Sequence, residues 1–205
     1  MICNMGEREY FQPLTPGDKI SVILYRVGIA LSALFILAGA FFLSNASRYQ
    51  EYTSFVFLTN VLLILLYAAV GISVFLIHLY VGKFHRALKK LYYIAVISLI
   101  ILFAIGRGDV SGVLISKPYG PLLLIPLSGC LGFITAKEAV CFRLIEGYLL
   151  ALAMPLYLVV LAGRGLTPQG ALYGLIFIAA MFVVFTLRKV FMPLHYDIGD
   201  KSAYT

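Results

Sequence analysis

The sequence predicts an all-α, polytopic transmembrane helical bundle of about six spans, with both termini on the cytoplasmic or stromal side. Three observations lead there. Of 205 residues, 62% are hydrophobic and only 12% charged, against about 25% charged in soluble domains. Apolar runs of roughly 18 residues or more recur along the chain, the length that crosses a bilayer core. These runs lack the period-two alternation of barrel strands, so in lipid the backbone must satisfy its own hydrogen bonds as helix.

Taken in order, residues 1–18 form a polar tail that ends in the turn chemistry of Leu14-Thr15-Pro16-Gly17-Asp18. A membrane domain over 19–190 follows, then a polar tail over 191–205. The first apolar run is too long for a signal-peptide core, so no leader is read. The first helix spans about Ser21 to Ser44, with Arg26 near its start; its aliphatic stem is expected to snorkel to the interface, the alternative being an intramembrane ion pair. A second helix covers about Phe55 to Tyr80 and, being long, should tilt or project beyond the lipid. The basic link with Lys83, His85, Arg86, Lys89 and Lys90 leads into a third, ending near Ile105.

A fourth helix, about Leu122 to Ala136, contains Pro126 and should kink there. The fifth, about Leu144 to Ala162, contains Pro155, and the sixth covers about Gly170 to Leu187. Six spans place 12 of the 16 Lys and Arg on one side, and the positive-inside rule makes that side cytoplasmic. Basic residues in a membrane protein set orientation, so the net charge of +7 is not read as a nucleic-acid footprint. The pairs Gly170-x-x-x-Gly174 and Ser128-x-x-x-Gly132 read as close helix packing.

The densest chemistry lies in Thr135-Ala136-Lys137-Glu138-Ala139-Val140-Cys141-Phe142-Arg143, between two apolar runs. A charged cytoplasmic turn with internal ion pairs is the plain expectation. If the helix continues, Glu138 and Cys141 share a face, where a carboxylate and a thiol could share a metal or Lys137 could activate the thiol. Glu138-x-x-Cys141-x-Arg143 is also similar to the Glu-x-x-His/Asn-x-Arg motif of chlorophyll-binding light-harvesting helices. Cys stands where an imidazole or amide belongs, so chlorophyll is not placed there. His78 and His85, seven apart, share one face of a continuous helix. Together with Glu138 they are the candidate ligands for a pigment or metal; otherwise no cofactor is expected. No Asp or Glu lies deep in the expected spans, which disfavours proton-coupled transport. No nucleotide loop, zinc-protease helix or nucleophile elbow appears, which disfavours an enzyme.

Two stretches carry a resemblance. Ala136-Lys137-Glu138-Ala139-Val140-Cys141-Phe142 resembles the Lys-Glu-Ala-Phe-Cys-Phe block of a family of small integral membrane proteins from cyanobacteria and plastids, known only as a domain of unknown function. Asp197-Ile198-Gly199-Asp200-Lys201-Ser202 resembles that family's C-terminal signature. The resemblance covers about Lys19 to Thr205. It implies a setting, a thylakoid or cyanobacterial plasma membrane, and no activity. In that setting the shared sidedness of the two stretches and the lack of coupling carboxylates point to an accessory or assembly protein that docks to photosystem or other membrane-complex subunits. The expected docking surface is Lys137, Glu138, Cys141, Arg143, Asp197, Asp200 and Lys201. A small-solute transporter or channel built on the proline-bearing helices is the alternative.

Overall fold

The computed structural model describes residues 15–45, 52–79 and 82–197. Six helices among them are long and apolar enough to span a bilayer: α1 (Pro16–Ser44), α2 (Tyr52–Leu76), α3 (Gly82–Gly106), α6 (Ile125–Phe142), α7 (Ile145–Ala162) and α8 (Pro168–Val190). Two short helices, α4 (Val110–Ser116) and α5 (Tyr119–Leu122), sit between α3 and α6, and a 3-10 turn (Leu194–Asp197) follows α8. The polytopic helical class is therefore as expected. Side-chain chemistry sets the helix starts. Thr15 and Asp18 form a reciprocal capping box on α1, Thr15 N–H donating to Asp18 Oδ2 at 2.9 Å and Asp18 N–H to Thr15 Oγ1 at 3.3 Å. Thr167 caps α8 by accepting from Gly170 N–H.

The spans pack as a ring in the order α1, α2, α3, α6, α7, α8 and back to α1, with α2 also touching α6. The core is apolar: Tyr25, Ile29, Val70, Leu102, Ile134, Phe182 and Phe185 are all essentially inaccessible. The outward faces carry exposed Leu, Ile, Val and Phe, which suits lipid contact. Six passes bring the start of α1 and the end of α8 to the same end of the bundle. Of the Lys and Arg among the described residues, only Arg107, Lys117 and Arg164 lie at the other end, so the charge rule assigns the first end to the cytoplasm.

Four local expectations are corrected. The charged stretch 135–142 is not a gap but the last two turns of α6, and only Arg143 and Leu144 separate it from α7. Arg143 makes the reversal in the left-handed conformation, φ 53° and ψ 41°, the backbone shape that stops a helix within one residue. Pro126 stands in the first turn of α6, where no backbone donor is lost, and so kinks nothing. The second helix ends at Leu76 and residues 77–79 are irregular, so His78 and His85 share no helix face.

Gly132 and Gly174 pack as expected for helix contact, whereas Gly170 meets only Thr167 and Leu166 at the start of its own helix. A Cβ on Gly132 would stand 3.2 Å from Ala151 O of α7, and one on Gly174 2.8 Å from the Tyr157 ring. Gly147 is tighter still: a Cβ there would meet Thr135 O at 2.6 Å and Ala139 Cβ at 2.9 Å. Gly147→Val is therefore expected to force α6 and α7 apart and to cost about 1–3 kcal/mol. A melting temperature in detergent equal to that of the parent would contradict this.

Candidate functional site: a buried chain of alternating charge

At the end of the bundle rich in Lys and Arg, five acidic and basic side chains run in a line of alternating sign. Lys137 Nζ donates to Glu138 Oε1 at 2.8 Å. Glu138 Oε2 lies 2.5 Å from Lys189 Nζ, short but poorly aligned, an ion pair rather than a directed hydrogen bond. Lys189 Nζ also pairs with Asp197 Oδ1. Asp197 Oδ2 accepts from Arg26 Nε at 2.7 Å and pairs with Nη2 at 2.6 Å. Glu138 and Lys189 are wholly buried, and the side chains of Asp197 and Arg26 are 1% and 6% exposed. The order of charge is therefore Lys137, Glu138, Lys189, Asp197, Arg26, and it ties α6, α8, the C-terminal turn and α1 together.

Each position follows from local sequence. On α8, Ile178, Phe182, Phe185 and Lys189 are spaced four, three and four apart and form one buried stripe, so the helix that buries the phenylalanines also buries the ammonium. The Phe142 ring covers that ammonium, its centroid 3.9 Å from Nζ, a cation–π contact in a desolvated site. On α6, Ile134, Thr135 and Glu138 share the inward face. On α1, Tyr25 donates its hydroxyl to Glu138 Oε1 at 2.6 Å.

Arg26 does not snorkel. Its guanidinium turns inward, where Nη1 donates to the carbonyls of Val190 (3.0 Å) and Met192, and Nη2 to that of Pro193 (3.0 Å). With Nε donating to Asp197 Oδ2 and Nη2 paired with the same oxygen, every guanidinium nitrogen is engaged. Arg26 thus closes the last carbonyls of α8 and holds the turn beyond it. A groove of about 230 Å³ between α1 and α8 is lined by Arg26 and by the apolar Ile23, Val27, Ala30, Val190 and Leu194. Buried charges survive in a low dielectric when paired and hydrogen-bonded; every charge here is paired, and Glu138 Oε2 is held by its ion pair with Lys189 alone.

The remaining candidates spread out. Cys141 is half-buried and Arg143 exposed. Asp200 and Lys201 lie outside the described residues. His85 Nε2 is 3.2 Å from Val74 O, joining α3 to the end of α2, while His78 Nε2 lies 3.3 Å from Ser21 Oγ. Among the described residues no three His, Cys, Asp or Glu side chains converge on a metal position. Two expectations are overturned: Glu138 is a carboxylate inside a span, and Glu138 and Asp197 are covered rather than presented to a partner. Tyr25 and Lys189 were not among the expected site residues. The period of the Phe182 stripe is the signal that could have found Lys189.

His78 lies between spans, and burial, followed by the nearby Lys137 ammonium, lowers its pKa below the usual histidine range. The folded state therefore disfavours imidazolium. Its contribution to stability is complete above the unfolded value of about 6.5 and is lost as pH falls through that value toward the lowered folded one. The melting temperature is expected to fall between pH 7.5 and 5.5, and less steeply in His78→Asn. Identical slopes would refute the assignment.

Helical spans, lipid-facing apolar surfaces and a fully paired buried charge network define a polytopic integral membrane protein. A family model described as "Uncharacterized integral membrane protein (DUF2301)" matches residues 72–205, well over half of the chain, and the protein belongs to that family. No curated protein and no solved structure matches it.

Proposed function

We propose that this protein is a non-enzymatic accessory or assembly factor for larger membrane complexes, docking through the cytoplasmic end of its bundle. One observation carries the reading. The single ammonium of Lys189 joins the two stretches that the family resemblance marks, pairing with Glu138 of the first and Asp197 of the second. Joined in this way, they do not form the contact surface themselves but brace one. Exposed residues beside them include Arg143, Ile145, Arg188 and Phe191. Ile145 and Phe191 are 71% and 83% exposed, apolar side chains that suit a protein partner at the membrane boundary. The motif resemblance supports a thylakoid or cyanobacterial plasma membrane, with photosystem subunits as the partners to look for.

The test is gentle solubilisation of native membranes carrying a C-terminally tagged chain, with mass spectrometry and visible absorption of the purified fraction. Partner subunits at fixed ratio, lost in Arg143→Ala/Phe191→Ala, support docking. Partners unchanged by that variant would end it. A coloured protein without partners would shift the weight to His78, His85 and Glu138 as pigment or metal ligands. A second reading, a small-solute transporter, is favoured by one observation: Glu138 is a fully buried carboxylate in a span, the kind of group that couples ion movement. Solute flux into proteoliposomes, abolished by Glu138→Gln, would establish it; equal flux in empty and loaded vesicles would remove it.

A further inference from the structure

Helix α3 has two different sides at its cytoplasmic end. One is committed to the bundle: His85 meets Val74 O, Lys89 stands over the Phe75 ring at 5.6 Å, and Tyr92 donates to Tyr67 O at 2.9 Å. Leu88 is buried, and Phe84 and Leu91 reach Phe133 and Gly129 of α6. The other side carries Lys83, Arg86 and Lys90, three and four apart and all exposed. Among the described residues none of these three makes a hydrogen bond or ion pair, and α3 contains no Asp or Glu. The same line continues through Tyr93, Ile97 and Ile101, which are 55%, 56% and 41% exposed. Three cations with open donors thus stand directly above a continuous apolar track on one helix face.

We propose that this face is a binding site for an anionic phospholipid. Lys83, Arg86 and Lys90 hold the phosphate, and an acyl chain lies along Tyr93, Ile97 and Ile101. Charge complementarity selects the occupant. A zwitterionic headgroup brings no net charge to offset the three cations, whereas an anionic one lowers their excess at the depth where polar helix gives way to apolar helix. The aromatic ring of Tyr93 sits at that junction, where interfacial tyrosines favour the headgroup level. Positive-inside orientation needs only cations on this side. It does not require that they share a face with exposed apolar residues while Lys89, on the same helix, turns inward.

The test is native mass spectrometry of the full chain released from nanodiscs of equal phosphatidylglycerol and phosphatidylcholine. Phosphatidylglycerol is expected to be retained preferentially, and the preference to fall by roughly fivefold for each charge removed in Lys83→Gln/Arg86→Gln/Lys90→Gln. Circular dichroism confirms that this variant keeps its helices, and the charge-preserving Lys83→Arg/Arg86→Lys/Lys90→Arg keeps most of the preference. Equal retention of the two lipids by the parent chain, or an unchanged preference in the neutral variant, overturns the proposal. Retention of the lipid in excess inorganic phosphate or poly-glutamate supports it. Displacement by phosphate would make the face a free-anion site, and displacement by the peptide an acidic-protein site; either overturns the lipid assignment.

Discussion

Lys189→Met is expected to cost about 3–5 kcal/mol of stability, because it leaves Glu138 and Asp197 buried on either side of an apolar side chain. Methionine fills similar volume, so the loss is electrostatic rather than a cavity. Arg26 still compensates Asp197, and Lys137 and Tyr25 still reach Glu138 Oε1, but Oε2 loses its cation. The measurement is thermal or denaturant unfolding in detergent, combined with a double-mutant cycle. Lys189→Met/Glu138→Gln should be less destabilising than the sum of its single changes by about 0.5–3 kcal/mol, since neutralising the carboxylate removes what the first change stranded. Strict additivity would mean that the two groups do not interact.

Arg26→Leu should release the C-terminal turn. The change removes four hydrogen bonds at once, strands the carbonyls of Val190, Met192 and Pro193 and leaves Asp197 with Lys189 as its cation. A comparable loss of about 3–5 kcal/mol is expected, but its location differs from that of Lys189→Met. Backbone amides after Val190 should exchange with solvent faster and become open to protease, while α2 and α3, which do not touch the guanidinium, keep their protection. Arg26→Lys should rescue little, because one ammonium cannot reproduce the planar fork that reaches three carbonyls and a carboxylate. Uniform loosening of all six spans would argue against a clamp local to the C-terminal turn.

The spans were legible because they depend on run length, which is a local property of the chain. Glu138 was misread for the same reason. Lys137, Glu138 and Arg143 lie close together in sequence, and local charge density reads as a loop. Each carboxylate has one partner nearby in sequence, Lys137 for Glu138 and Lys189 for Asp197, but the partners that bury them are remote: Tyr25 is 113 residues from Glu138, and Arg26 is 171 from Asp197. No short window along the chain contains these remote partners, so the burial of the carboxylates appears only when α1, α6 and α8 are assembled. The break after Leu76 was missed because no glycine or proline marks it before Gly82, and the position of Pro126 because helix boundaries depend on capping geometry. The association of 137–138 with 197 was anticipated as shared sidedness. Its realisation through Lys189 needed the buried stripe of α8 to be followed one turn further.

The Arg26–Asp197 pair also carries a consequence for how the molecule is made. The arginine enters the bilayer with the first span, and its carboxylate is synthesised 171 residues later, on the order of ten seconds or more at about 5–20 residues per second. Throughout that interval an insertion intermediate holds the Arg26 guanidinium without its carboxylate, and no subset of early spans can reach the final arrangement. A chain cut short before Asp197 would leave the ribosome with Arg26 still lacking its carboxylate.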